Sequence, residues 1–332
     1  MERKIKIGIV GGAGYTAGEL LRLLVNHPQA EIVFVHSKSN AGKFIHSVHA
    51  DLLGDTSLKF SADVNGDIDV LFLCVGHGEA KKFLEANNIN EKVKLIDLSQ
   101  DHRIIDDLRY AKDGSSRKWV YGLPELNYDV IKGSHNIANP GCFATCIQLA
   151  LLPLAKESLL KSEVHVSATT GSTGAGQSLS GTSHFSWRQN NMSSYKVFQH
   201  QHLAEIGQSL KQLQAGYVHE VNFVPHRGSF TRGILASSYT ETDMTIEKAK
   251  ELFHAYYKKH PFVHVSDEAI DLKQVVNTNK CLLHMEKHGK KLIVTSVIDN
   301  LLKGASGQAV QNMNLMFGLE ETSGLKLKAS AF

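Results

Sequence analysis

The sequence predicts an α/β protein: a parallel-sheet domain with helices on both faces, followed by an α+β domain built around an antiparallel or mixed sheet. Before residue 142, short apolar segments alternate with helical segments, which is typical of a covered parallel sheet. Beyond that point several segments alternate apolar and polar residues, as half-buried strands do. A length of 332 residues also suits two domains.

The elements of the first part follow one another closely. In order we predict a strand at 5–10, a glycine-rich turn at 11–18, a helix at 19–24, and strands at 31–36, 69–75 and 94–98. The strand segments are short and apolar, as expected for strands buried on both faces.

The second part begins with a helix from Cys142 to about residue 160. We then predict strands at 164–170, 218–224, 233–240, 273–276, 281–286 and 291–298, a helix at 246–257, and a polar surface loop at 189–201. A closing helix at 305–319 is expected to pack back against the first domain. Residues 1–141 with 300–332 therefore form the first predicted domain, and residues 142–299 form the second.

Composition narrows the function classes. The formal net charge of +3 and the lack of an aromatic-interleaved basic stripe argue against nucleic-acid binding. No apolar run approaches the ~20 residues of a membrane span. The 4 cysteines show no C-x-x-C spacing, so we expect neither a metal site nor a disulfide framework. These features favour a cytoplasmic protein.

A dinucleotide fingerprint, Gly-x-Gly-x-x-Ala, lies between the first strand and the first helix. Its residues are Gly12, Ala13, Gly14, Tyr15, Thr16 and Ala17. Glycines allow a tight turn and close approach of the backbone to a pyrophosphate at the helix N-terminus. The alternative is a glycine-rich turn that only packs tightly.

The end of the second strand indicates which dinucleotide is bound. NAD enzymes usually place a carboxylate there, whereas this chain has Ser37, Lys38 and Ser39. Two hydroxyls and a cation suit a 2′-phosphate, so the sequence favours NADP(H). A solvated loop of the same composition is the alternative.

Cys142 is the candidate nucleophile. It follows Asn139-Pro140-Gly141 and precedes an apolar helical run, so it lies where a loop becomes a helix. The positive end of the helix dipole and unpaired N–H groups favour the thiolate. The other cysteines fit the usual role of a small buried hydrophobe. A nucleophilic cysteine with a nicotinamide suggests thioester redox chemistry on an acyl group.

Two further segments carry candidate partners for the thiolate. His202 and Glu205 would share a helix face, with His200 just before that helix, so an imidazole could act as the acid–base group. An amphipathic helix with a polar face explains them equally well. The segment 225–233 adds His226, Arg227 and Arg232, which suit an anionic substrate or a basic surface turn.

These features together make the chain similar to the N-acetyl-gamma-glutamyl-phosphate reductase family over nearly its whole length. The matching segments are 11–16, 37–43, 97–103, 121–126, 139–142, 171–176, 200–202, 225–233 and 303–314. The Asn-Pro-Gly-Cys and Lys-Gly-Ala-x-Gly-Gln-Ala segments are the specific ones. They distinguish this family from other dehydrogenases that share the fold and the chemistry.

The resemblance implies NADPH-dependent reduction of an N-acetyl-gamma-glutamyl phosphate in arginine biosynthesis, with Cys142 as nucleophile and His200 or His202 as acid–base group. It implies additional cofactor contacts from Gly174, Gly176 and Asn312, besides the first turn and residues 37–39. Arg103, Asn139, His226 and Arg232 are the substrate-binding candidates. It also implies a homodimer or homotetramer.

The chain departs from the family pattern at several positions. Ala17 followed by Gly18 replaces a glycine, Gln201 replaces an arginine between the two histidines, and His102 replaces a phenylalanine. Because the loss of an arginine affects the substrate pocket, an N-succinyl-glutamyl or aminoadipyl phosphate is an alternative substrate. A non-catalytic NADP-sensing protein is a more distant alternative, and it would not need Cys142.

Overall fold

The computed structural model describes residues 3–64, 66–104, 111–112 and 117–330. The strands are β1 (Ile5–Val10), β2 (Ala30–His36), β3 (Phe60–Ser61), β4 (Val70–Leu73), β5 (Lys94–Asp97), β6 (Ala111–Lys112), β7 (Lys118–Tyr121), β8 (Asn136–Ala138), β9 (Val164–Thr170), β10 (Ser193–Ser194), β11 (Val221–Arg227), β12 (Ile234–Glu241), β13 (Val263–Ser266), β14 (Cys281–His288) and β15 (Lys291–Ile298). The α-helices are α1 (Tyr15–Leu24), α2 (Glu79–Ala86), α3 (Pro124–Lys132), α4 (Cys142–Lys156), α5 (Phe185–Arg188), α6 (His202–Leu213), α7 (Ile246–Tyr257) and α8 (Gly307–Met316).

The chain divides into two compact units, one of residues 1–140 with 305–325 and one of residues 141–304 with 326–332. The first unit contains a sheet in the order β3-β2-β1-β4-β5-β8-β7-β6, in which every pairing is parallel except that of β6 with β7. The strands β1, β4 and β5 are almost entirely buried, because helices cover parallel sheets on both faces. Helix α8 belongs to this unit and contacts α1 and α3. The predicted α/β class and the returning last helix are therefore confirmed.

The second unit contains a mixed sheet in the order β10-β11-β9-β12-β15-β14-β13. Helix α4 packs on its central strands β9, β12 and β15. The helix is buried from Phe143 to Ala155, which explains why its sequence is apolar all round. On β9 and β12 buried residues alternate with more exposed ones, as expected for one covered face.

One predicted strand is wrong, and the last helix is shorter than predicted. The segment 273–276 is not a strand: a 3₁₀ turn occupies Leu272–Gln274, because Asp271 and Gln274 cap one another's backbone N–H groups. The predicted helix at 305–319 is a π-helical turn over Leu302–Ser306 followed by the shorter α8. Helix α3 and the strands β7 and β8 were not predicted, since their short segments carry weak periodicity.

Candidate active site

The turn after β1 is shaped by two glycines. Gly11 has a φ of 79°, and a Cβ there would lie 2.4 Å from the Cys74 carbonyl oxygen. A Cβ on Gly12 would lie 2.3 Å from Val35 Cγ1, so this residue passes against β2. The sequence fingerprint did not include Gly11, although it is the position that requires a left-handed backbone.

Gly14 differs, because its neighbours leave space. A Cβ there would meet its nearest atoms at 3.7 and 4.0 Å, which is ordinary contact. The folded chain itself therefore does not require glycine at this position, and the room suits an approaching phosphate. Tyr15 and Thr16 begin α1 directly after Gly14, so the helix N-terminus faces that space.

Ala17 is fully buried, and the close approach occurs one residue later. A Cβ on Gly18 would lie 2.6 Å from His49 Nδ1. The Nε2 atom of the same imidazole lies 2.7 Å from the Gly12 carbonyl oxygen. Sequence reasoning missed His49, which lies far along the chain and belongs to no motif.

The turn after β2 carries the residues expected at a 2′-phosphate. Ser37 is buried, while Lys38 and Ser39 are exposed in a 3₁₀ turn. The Asn40 amide donates to both serine hydroxyls at 3.3 Å, which leaves each O–H free to act as a donor. Lys43 Nζ donates to Asn40 Oδ1 at 3.3 Å and adds a second cation.

The buried side-chain amides of Asn139 and Asn312 form a pair in the first unit, and Asn139 lies shortly before Cys142 in the chain. Asn312 Nδ2 donates to Asn139 Oδ1 at 3.1 Å and to the Gly122 carbonyl at 2.9 Å. The Oδ1 atom of Asn312 is buried with no hydrogen-bond partner among the described residues. The buried Arg103 guanidinium donates to the backbone carbonyls of Asn139 and Leu98, each at 2.8 Å. Arg103 and Asn139 thus hold the backbone that leads to Cys142.

Cys142 is the first residue of α4, and its side chain is partly exposed. The N-cap is Gly141, which has no side chain to cap the helix, and a helix N-terminus attracts an anion. A Cβ on Gly304 would lie 2.8 Å from Cys142 Cβ, so glycine is needed for this packing. Because a helix N-terminus favours a thiolate, Cys142 stays the predicted nucleophile.

His202 and Glu205 contact the residue just before the nucleophile. A Cβ on Gly141 would lie 2.3 Å from His202 Nε2, so the imidazole packs directly on this glycine. Glu205 accepts a hydrogen bond from Gly141 N–H at 2.9 Å, and its other oxygen lies 3.8 Å from His202 Nε2. All three belong to the second unit, and the buried carboxylate lies within ion-pair distance of the imidazole.

His200 lies beside His202, with ring centroids 4.5 Å apart. Its Nδ1 accepts the His202 backbone N–H at 3.2 Å, which assigns its proton to Nε2. Burial, reinforced by the charges of Lys196 and Arg227, lowers the pKa of His200 to about 4. His200 is therefore neutral at pH 7.

The other three cysteines are buried. Cys146 Sγ lies 3.2 Å from Ser296 Oγ, and burial raises its pKa to about 12. Burial likewise raises the pKa of Cys74 to about 12. Both thiols are unsuited to nucleophilic attack, which leaves Cys142 as the candidate.

Two of the predicted substrate residues have other surroundings. Arg232 pairs with the buried Asp299 through two hydrogen bonds of 3.0 and 3.2 Å. His226 follows the buried Pro225 on β11, and alternation places it on the opposite sheet face from Phe223. Phe223 packs against Phe143 of α4, so the structure does not bring His226 together with Cys142.

The loop after β9 contains the other two predicted glycines. A 3₁₀ turn over Ser172–Ala175 is tied to the 230–233 segment by backbone hydrogen bonds. Gly176 has a φ of 75° with open space around its Cα, while a Cβ on Gly174 would lie 3.2 Å from Thr170 Oγ1. This small-residue loop permits close approach of a ligand to backbone.

Two other structural features bear on the function classes. Within the described ranges, no three His, Cys, Asp or Glu side chains are grouped so that they could hold a metal ion. None of the helices described is long and apolar enough to cross a membrane.

Comparison with known proteins first defines the class. Residues 6–134 match the semialdehyde dehydrogenase NAD binding domain, and residues 142–300 match the semialdehyde dehydrogenase dimerisation domain. The fold resembles aspartate semialdehyde dehydrogenase II of Vibrio cholerae, at 16% identity with a TM-score of 0.71 over 96% of this chain and 99% of that chain. It also resembles aspartate semialdehyde dehydrogenase of Candida albicans, at 13% identity with a TM-score of 0.69 over 95% and 98% of the two chains.

Closer relatives identify the family. N-acetyl-gamma-glutamyl-phosphate reductases of Christiangramia forsetii and Bacteroides thetaiotaomicron are each 58% identical, over 99% of this chain and 100% of theirs. The chain belongs to the N-acetyl-gamma-glutamyl-phosphate reductase family. These relatives confirm the family and the type of enzyme that the sequence motifs indicated. The match of residues 6–134 to an NAD binding domain confirms a dinucleotide-binding domain.

Proposed function

We propose that this enzyme reduces N-acetyl-gamma-glutamyl phosphate to N-acetyl-glutamate 5-semialdehyde and phosphate with NADPH, in arginine biosynthesis. The observation that carries this proposal is Cys142 at the start of α4, with the His202–Glu205 pair packed against Gly141. A partly exposed thiol at a helix N-terminus, with an imidazole–carboxylate pair packed on the preceding residue, suits covalent acyl transfer.

In the first step the Cys142 thiolate attacks the acyl carbonyl carbon. The C–O bond to phosphate breaks, inorganic phosphate leaves, and a thioester forms on Sγ. After reduction of the thioester carbonyl, His202 donates a proton to the developing alkoxide. His202 takes that proton back as the C–S bond breaks, which releases the aldehyde and restores the thiolate.

Glu205 stabilises the imidazolium form of His202 and so supports both proton transfers. His200 remains neutral and helps to hold the next turn of chain, because its Nδ1 accepts the His202 backbone N–H. We therefore assign acid–base catalysis to His202 and a positioning role to His200.

NADPH, when bound, supplies the hydride. The residues fit this cofactor: the turn of Gly12, Ala13 and Gly14 leaves room before α1, and Tyr15, Thr16 and Ala17 form its first turn. Ser37, Lys38 and Ser39 offer two hydroxyl donors and a cation for the 2′-phosphate, without a carboxylate in the turn. The buried Oδ1 of Asn312 suits the carboxamide N–H of a nicotinamide. Gly174 and Gly176 of the second unit stay predicted cofactor-binding residues.

Arg103, Asn139, His226 and Arg232 stay the predicted substrate residues. Arg103 and Asn139 would act through the backbone contacts described above, whereas Arg232 is paired with Asp299 and His226 lies on the opposite sheet face from Phe223. Residues 1–141 with 300–332 bind NADP(H), and residues 142–299 carry out catalysis and assembly. The match to a dimerisation domain supports a homodimer or a homotetramer. A biosynthetic role of this kind places the enzyme in the cytoplasm.

The direct test is replacement of the nucleophile. In Cys142→Ala, phosphate-dependent reduction of NADP by N-acetyl-glutamate semialdehyde should fall below detection, while NADP still binds by fluorescence titration. Cys146→Ala is the matched control, because this buried thiol lies one turn further along α4, and its kcat should stay close to that of the parent. Activity that survives in Cys142→Ala would refute the covalent mechanism.

A further inference from the structure

Two cations, Lys196 and Arg227, act on His200, and Arg188 lies at the end of β11 beside Arg227. Among the described residues, Lys196, Arg188 and Arg227 make no ion pair within 4.0 Å. Arg232, by contrast, is paired with Asp299. Because cations held near one another repel unless an anion lies between them, Lys196 and Arg227 suit an anionic ligand.

Arg227 differs from Arg188, whose guanidinium nitrogens all donate to neighbouring oxygens. Its guanidinium carbon lies 4.7 Å from the centroid of the Tyr195 ring. Its Nε atom is buried and has no hydrogen-bond partner in the described part of the chain. Alternation along β11 places Arg227 on the same face as Phe223, which contacts His200. Arg188 donates to the Arg227 backbone carbonyl at 2.7 Å and fixes this end of the strand.

The position of Lys196 is set by its backbone conformation and by a hydrogen bond to Gln201. Its φ of 46° is left-handed, as is the 58° of Phe198, and such strain in non-glycine residues costs about 1–3 kcal/mol each. Backbone hydrogen bonds from Tyr195 and Phe198 to β11 keep the loop in this shape. The Lys196 ammonium donates to Gln201 Oε1 at 3.0 Å, so the residue between the two histidines orients a cation.

Tyr195 connects the cations to the catalytic residues. Its ring centroid lies 5.7 Å from that of His200, which in turn contacts Phe143, the neighbour of Cys142. Burial, followed by the negative charge of Cys142, raises the pKa of Tyr195 to about 12, against an opposing effect of Arg227. The phenol therefore keeps its proton, and its O–H can donate to a bound oxyanion.

We propose that Tyr195, Lys196 and Arg227 form an oxyanion-binding site next to His200, which holds a carboxylate or phosphate group of the substrate. The inference rests on the proposed function in that this group belongs to the acyl-phosphate substrate. The side chains supply two cations and a hydroxyl, which match the donor requirements of either group. These residues determine which substrate is accepted, whereas Cys142 and His202 carry out the chemistry.

The test compares Arg227→Met and Lys196→Met with the parent enzyme. Lys211→Met on α6 is the matched control, since this exposed lysine also lacks an ion pair among the described residues. In the direction of semialdehyde oxidation, we expect KM for one anionic reactant to rise roughly 10- to 100-fold in both variants. The rate of Cys142 alkylation by iodoacetamide without ligand should change less than threefold, which separates lost binding from a disturbed nucleophile.

The reactant affected identifies the bound group. A rise in KM for inorganic phosphate alone assigns the site to the phosphoryl group. A rise for N-acetyl-glutamate semialdehyde assigns it to the glutamyl carboxylate, and a rise only for the N-succinyl analogue assigns it to the acyl group. Unchanged KM values for all three in both variants would overturn the proposal.

A ligand-protection measurement distinguishes failure of this inference from failure of the proposed function. Inorganic phosphate and N-acetylglutamate are each added before alkylation of Cys142 in the parent, the two variants and the control. Protection by either ligand that weakens at least tenfold in the variants supports the site, even if the parent reduces no acyl phosphate. Absence of protection in the parent, or equal protection in all four proteins, counts against it.

Discussion

Replacing Glu205 by glutamine should remove most of the catalytic rate while leaving the fold intact. The glutamine oxygen can still accept the Gly141 N–H, which Glu205 binds at 2.9 Å. What is lost is a negative charge 3.8 Å from His202 Nε2, worth about 4 kcal/mol to an imidazolium at an effective dielectric constant of about 20. An effective dielectric constant of about 40 would halve this value to about 2 kcal/mol, which sets a lower bound. We therefore expect kcat to fall roughly 30- to 1000-fold.

The assay follows NADPH formation from N-acetyl-glutamate semialdehyde and phosphate at saturating concentrations of both. Glu251→Gln is the matched control, because this glutamate is exposed on α7, and its kcat should equal that of the parent. Circular dichroism and NADP binding establish that the variant is folded. If Glu205→Gln is folded and retains kcat within threefold of the parent, Glu205 does not support a proton transfer by His202.

Three further results are expected. At pH 7 iodoacetamide should label Cys142 well before Cys146, as measured by peptide mass spectrometry, because burial raises the pKa of Cys146 to about 12; equal labelling would contradict this. Burial, reinforced by nearby cations, lowers the pKa of His200 to about 4, so below pH 6.5 the unfolded chain binds a proton that the folded chain does not. Stability should then fall by up to about 3 kcal/mol between pH 6.5 and 4, and urea titrations of His200→Asn should show a smaller loss. Lys38→Glu should raise KM for NADP roughly tenfold with little effect on NAD, and a parallel rise for both cofactors would argue against a 2′-phosphate contact.

The sequence predicted elements best where a periodic apolar pattern decides the structure. Strands β1, β9 and β15 and helix α7 have the predicted bounds, because alternation or helical spacing runs through each of them. The segment 273–276 failed because two side chains cap a 3₁₀ turn, and local side-chain hydrogen bonds outweigh strand propensity over so few residues.

The candidate site was predictable where chemistry depends on local sequence. The start of α4 follows from Pro140 and Gly141, so the position of Cys142 could be inferred without a structure. The surroundings of arginines could not, since they depend on partners far along the chain. Asp299, 67 residues from Arg232, decides that this cation is already paired. Arg227 has no ion-pair partner among the described residues, because of the face of β11 on which it lies and the strained loop before His200.

In the cofactor turn, residues outside the sequence motif also fix the backbone. A fingerprint requires a small residue near position 17 so that helix and strand pack closely, and Ala17 satisfies it. The glycine at position 18 makes room for His49, whose Nε2 holds the Gly12 carbonyl at 2.7 Å. No described peptide bond is cis. Because a trans peptide unit is planar, fixing that carbonyl points the Ala13 N–H the opposite way, away from the imidazole. A histidine 37 residues beyond the turn thus orients one of the donors that a pyrophosphate would use.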